Sequence, residues 1–194
     1  KAIELLISFL NSNEYNQIKM LNLLQFLFLD KENELVKEYI KKSLLSNDIN
    51  IYPHILSNIF NNGIIEEYII FILKNCSENV VSYVIGCMYS YKLVIKGFTK
   101  SLLKYRKNVE NAIINTISGS NAISNIDKVE FLLTVYCKDK DKNETTLYSY
   151  LYNISGNIEF RNEFKNIYHK NFADKLSLDE FFEKYKNFNK DDFI

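Results

Sequence analysis

The sequence holds one proline, five glycines and no tryptophan in 194 residues. All-β chains punctuate their many short strands with glycine and proline, so this scarcity excludes that class and points to long helices. A prevailing sign of charge is missing as well: 24 basic residues face 24 acidic ones. The chain therefore makes no global field of the kind that draws a protein onto nucleic acid or an anionic membrane, and any charged partner must be met locally. Nor is there an apolar run of about 18 residues, the length a membrane span needs, since charge-free stretches such as Asn79 to Tyr91 contain polar positions. The three cysteines, Cys76, Cys87 and Cys137, are odd in number and lack metal-type spacing. They read as buried thiols in a reducing, cytoplasmic compartment.

Catalytic chemistry is equally sparse. His54 and His169 lie far apart, and neither has a His, Cys or carboxylate three or four residues away to build a helical metal site. No cysteine has a local histidine motif to activate it. Gly63, Gly86, Gly97, Gly119 and Gly156 are too scattered to cradle a phosphate. We expect no enzyme, no catalytic residues, no metal and no cofactor.

What the chain does have is apolar bulk, 47% hydrophobic and 14% aromatic residues, arranged at helical spacing. Leu21, Leu24 and Phe28, with Leu23 and Leu27, predict a core helix from Ile18 wide enough to bury more than one face. Asp30 is placed to cap the next helix, through Leu35, Tyr39 and Ile40. Similar segments cover Ile51–Phe60, Ile64–Leu73, Val80–Tyr91, Phe98–Tyr105, Val109–Ile117, Ser124–Cys137, Thr145–Ile154, Ile158–Tyr168 and Leu178–Phe188. Ala2, Leu5, Leu6 and Phe9 form an apolar stripe with no cap before it, which leads us to expect a parent chain continuing upstream. Ser177 and Glu180 have capping-box spacing. They divide the chain into a helical array, 1–176, and an amphipathic helix, 177–194, whose Phe181, Phe182, Tyr185, Phe188 and Phe193 would cover the open end of the array or, in the other reading, dock as a detachable helix in a partner's groove.

One pattern recurs: a helix end, a polar turn and a new amphipathic helix, starting at Leu24, Leu56, Met88 and Leu151. The starts are 32, 32 and 63 residues apart, the last close to two periods. A fixed period of this size is the signature of stacked helical units.

At Leu147–Phe164 the run Leu-Tyr-Ser-Tyr-Leu-Tyr-Asn-Ile-Ser-Gly-Asn-Ile-Glu-Phe-Arg-Asn-Glu-Phe resembles the second-to-third helix junction of an armadillo repeat. That pattern has a Leu-x-Asn-Leu-Ser core and then a glutamate and arginine opening the next helix; Leu151, Asn153, Ile154, Ser155, Glu159 and Arg161 match it. Leu56-x-Asn58-Ile59 matches in part. The period is shorter than the roughly 40 residues of armadillo or HEAT units. Tyr83-Val-Ile-Gly-Cys-Met-Tyr-Ser, Asn121-Ala122 and Val129-Glu-Phe-Leu-Leu are similar to the C-terminal array of LisH-containing armadillo proteins of cilia and basal bodies. The resemblance implies an all-α, right-handed α-solenoid of armadillo/HEAT-like repeats with roughly ten to twelve helices. It implies a non-enzymatic scaffold in a cytoskeletal or ciliary assembly, binding a protein partner as an extended peptide or helix. Asn58 and Asn153 would then belong to an inner-helix asparagine ladder reading peptide backbone. The other reading of these asparagines is local capping.

Lys100, Lys104, Arg106 and Lys107 form the densest cationic cluster, either a solvated helix end or a contact for an acidic or phosphorylated partner. A competing reading of the whole chain is a structural or regulatory segment of a larger protein whose activity lies elsewhere.

Overall fold

Capping chemistry sets where the helices begin and end. Asn33 accepts the Leu35 N–H (3.0 Å) and so starts one helix. Ser77 accepts the Val80 N–H (3.4 Å) and starts another. Gly63, at φ 67°, closes the helix before it: the Gly63 N–H donates to the Phe60 carbonyl and the Ile64 N–H to the Ile59 carbonyl. Only a residue free to take a left-handed backbone makes that pair of bonds without strain.

The computed structural model describes residues 1–12, 17–106, 108–138 and 149–151 and the single positions 153, 162 and 183. The described residues form nine α-helices and no strand: α1 (Ala2–Asn11), α2 (Gln17–Phe28), α3 (Glu34–Leu45), α4 (Tyr52–Asn61), α5 (Ile65–Asn75), α6 (Glu78–Ser90), α7 (Phe98–Tyr105), α8 (Asn111–Gly119) and α9 (Asn125–Lys138). The described residues are all-α, as composition and periodicity lead one to expect. Positions 149–151, 153, 162 and 183 are helical too. The boundary at Ser177, the proposed terminal cap and the helices expected beyond Ile154 otherwise lie outside the described residues.

Each helix packs on its next-but-one neighbour. α1, α3, α5, α7 and α9 follow one another in one row, and α2, α4, α6 and α8 in a second. Contacts of α1 with α2, α3 with α4, α5 with α6 and α8 with α9 tie the rows together over a single hydrophobic core. The 32-residue pattern maps onto this arrangement. Leu24, Leu56 and Met88 occupy α2, α4 and α6 and are fully buried, as is Leu151.

The ring contacts and hydrogen bonds between units keep the same step. Tyr52 meets Tyr83 edge-on (5.6 Å between ring centres), and Phe60 stacks on Tyr91 (5.2 Å). Ser77 Oγ donates to Asn47 Oδ1 (2.5 Å), Ile113 N–H to Glu78 Oε1 (3.3 Å), and the Tyr150 hydroxyl to Asn115 Oδ1. Glu78 thereby satisfies a free N–H in the first turn of α8, whose own N-cap residue Glu110 makes no side-chain bond.

Three expectations need correction. The cap of α3 is Asn33, not Asp30, because the chain makes a turn first; Asp30 instead accepts from the Asn33 amide (3.3 Å). α2 buries one stripe, Met20, Leu24, Leu27 and Phe28, while Phe26 stays 62% exposed. In α1 the buried side is Leu10 with Ile3, Leu6 and Ile7 packed beside it, and Leu5 (65%) and Phe9 (55%) face out. Both helices carry apolar residues around most of their circumference, and only docking against neighbours selects the face.

Candidate interaction surfaces

The two rows differ in charge. Within α2, α4, α6 and α8 the ionised residues are Lys19 and Glu78 alone, whereas α3 by itself carries Glu34, Lys37, Glu38, Lys41 and Lys42. Apart from exposed Lys19 at the start of α2, the even row meets solvent largely through neutral side chains: Phe26, Asn61, Tyr83, Tyr89, Ser90 and Asn115 are exposed. An open trough of about 390 Å³ lies on it, lined by Ile85, Gly86 and Tyr89 of α6, Thr116 and Gly119 of α8, and Asn121. A Cβ on Gly86 or Gly119 would meet nothing within 4 Å, and neither glycine has a positive φ. Neither packing nor backbone geometry requires glycine there, yet at Gly86, inside α6, glycine costs up to about 1 kcal/mol relative to alanine. What the two glycines achieve is an open trough.

The cationic cluster of the sequence divides into separate roles. Arg106 lies across the C-terminal end of α5, its Nε donating to the Leu73 carbonyl (3.1 Å) and its terminal nitrogen to the Cys76 carbonyl. Leu73 lies in the last turn of α5, whose final carbonyls lack intrahelical donors, and Cys76 is the C-cap that follows it. Burial lowers the Arg106 pKa from its ordinary value and pushes the neighbouring Cys76 thiol up to about 11. Arg106 therefore serves as a clamp between units. Lys100 pairs with Glu130 of α9 (3.7 Å), and Lys107 lies outside the described residues. Lys104 is exposed, with its ammonium 5.4 Å from the centre of the Tyr105 ring.

Two lysines outside that cluster share this setting. Lys74 of α5 sits over the same Tyr105 ring (4.8 Å), and Lys41 of α3 over Phe71 (5.8 Å). Sequence reasoning grouped cations by proximity along the chain and so missed both. The signal available was the repeat itself, since Lys41, Lys74 and Lys104 are separated by 33 and 30 residues.

Asn58 is half-buried and donates its amide to the His54 carbonyl one turn back (2.9 Å). Ser90, its counterpart 32 residues on, donates in the same way to the Gly86 carbonyl (3.1 Å). Asn153 is helical and exposed. The structure thus puts Asn58 on the even row with its amide turned to its own helix. Cys76 and Cys87 are buried free thiols, and the Cys137 side chain lies outside the described residues. No group of three or more His, Cys, Asp or Glu able to hold a metal occurs among the described residues, and no helix there is long and apolar enough to cross a membrane. Comparison with known proteins finds no family model, no curated protein and no solved structure that matches this chain.

Proposed function

We propose that the chain is a non-enzymatic protein-binding scaffold, a right-handed α-solenoid of two-helix, HEAT-like units, whose even row receives an extended, uncharged segment of a protein partner. The two-helix step supports HEAT-like units over three-helix armadillo units. The observation that carries the binding reading is the trough between α6 and α8. It is open, bare of charge, floored by two glycines that packing does not require, and flanked by Tyr89, which is 57% exposed. Aromatic rings beside accessible neutral polar groups are the composition of peptide-binding grooves, where burying unpaired charge would cost more than it returns.

The test is affinity capture from lysate of the source organism with wild type, Gly86→Ala and Gly119→Arg. Gly86→Ala fits the open space and is expected to melt higher. Gly119→Arg places a charge and bulk in the trough at an exposed helix end. A partner captured by wild type and lost with Gly119→Arg, at unchanged helicity, supports the reading. Equal capture by both refutes the trough as the site and favours the array as a spacer segment of a larger protein.

A further inference from the structure

We propose that Lys41, Lys74 and Lys104 on the odd row form a second docking surface, for an acidic, extended polypeptide carrying a carboxylate at about every third residue. This proposal is independent of the even-row trough.

The three lysines stand on α3, α5 and α7, successive members of one row. Their cations form a series with two rings: Lys41 over Phe71, then Lys74 three residues along α5, then Lys74 and Lys104 both near the Tyr105 ring, at 4.8 and 5.4 Å from its centre. All three side chains are exposed. None makes an ion pair with a described residue. Their neighbours do: Lys37 pairs with Glu32 and Glu34, Lys42 with Glu38 at 2.8 Å, and Lys100 with Glu130. Where carboxylates neutralise the surrounding lysines, these three are left facing rings. The rings orient the ammoniums without neutralising them, so each keeps hydrogen-bond donors and full charge for an anion.

Spacing selects the occupant. Packed helices lie roughly 8–10 Å apart. A polypeptide in the polyproline II conformation returns to the same face every third residue, about 9 Å along its axis. With one of these lysines on each of three successive helices, a peptide crossing the row in that conformation offers about one carboxylate per helix. A nucleic acid is less suited, because the chain carries no net charge and the neighbouring Lys37, Lys42 and Lys100 are already paired with carboxylates.

The probe is a fluorescein-labelled peptide of four Glu-Pro-Pro repeats, read by anisotropy at about 50 mM salt, where surface charges are weakly screened. Its comparators are the Gln-Pro-Pro peptide and an oligouridylate of equal charge. The triple variant Lys41→Gln, Lys74→Gln, Lys104→Gln is expected to weaken Glu-Pro-Pro binding about tenfold or more. Lys19→Gln, Lys92→Gln, Lys96→Gln, with the same change in net charge, should shift it less than about twofold. Circular dichroism checks that both fold; if the first triple does not, Lys74→Gln alone, at the centre of the series, should cost about threefold. Equal losses in the two triples, equal binding of the Gln-Pro-Pro peptide, no binding of the acidic peptide, or tighter binding of the oligouridylate would each overturn the proposal.

Discussion

Removing the Arg106 side chain should destabilise the protein far more than removing any of the lysines around it. Arg106 makes two charge-assisted bonds to carbonyls at the end of α5, each worth about 1.5–3 kcal/mol where water is excluded. A cation at a helix C-terminus adds about 0.3–1 kcal/mol. Against these stands the cost of desolvating a half-buried guanidinium, the same burial that lowers its pKa. For Arg106→Ala the balance is a loss of about 2 kcal/mol, or roughly 4–8 °C in Tm for a chain of this size. Arg106→Lys should recover less than half, because one ammonium cannot bridge two carbonyls as the planar fork does. Lys104→Ala, by contrast, should stay within about 0.5 kcal/mol of wild type. The assay is urea unfolding followed by circular dichroism at 222 nm, with hydrogen exchange to show whether the α5–α6 junction opens first. An Arg106→Ala variant indistinguishable from Lys104→Ala would refute the clamp and restore Arg106 to the solvated cluster that its sequence context suggests.

Lys92 holds a left-handed φ of 52° where the Leu93 N–H bonds back to the Met88 carbonyl, so Lys92→Gly should raise urea stability by about 1 kcal/mol; an unchanged or lower midpoint would show the turn to be unstrained. Lys128 is 5% exposed, no described residue accepts from its ammonium, and burial lowers its pKa. The folded protein then gives up this proton before the unfolded chain does. Its penalty is complete below the folded pKa and fades as pH climbs through that pKa towards the ordinary lysine value. Lys128→Met should accordingly be more stable than wild type at pH 7, with the gap narrowing towards pH 10 in parallel urea titrations, and a gap that widens would contradict this reading. Burial also pushes the Cys76 and Cys87 thiols up to about 11, leaving roughly one thiolate in a thousand at pH 8. Cys76 and Cys87, followed separately by peptide mass spectrometry, should therefore react with iodoacetamide far more slowly in native protein than in urea, and similar rates at these two positions would disprove their burial.

Much of this architecture is readable from residue order. The helices from Tyr52 to Lys138 begin and end within a few residues of the expected limits, because Asn62-Gly63, Ser77 and Gly97 are local signals that act on their own neighbours. The 32-residue step is equally visible, and Leu24, Leu56, Met88 and Leu151 are interior positions. Site residues were less legible. Lys100, Lys104 and Arg106 are close in sequence, yet one pairs with Glu130, one lies against a ring and one closes α5. Asn58 matches a peptide-reading pattern, but its amide is engaged within its own helix.

The sequence by itself determined the class, the helix limits and the register, since periodicity, capping and the scarcity of glycine and proline act over a turn or two of chain. Tertiary structure decided which faces are inside and which charges are free. Leu5 and Phe9 are as apolar as Leu6 and Leu10, and nothing short of α2 and α3 docking against α1 turns the second pair inward. Lys41, Lys74 and Lys104 become a series only when helices some thirty residues apart are laid side by side. Burial and charge pairing depend on distances across the fold, and separation along the chain does not contain those distances until the helices have packed.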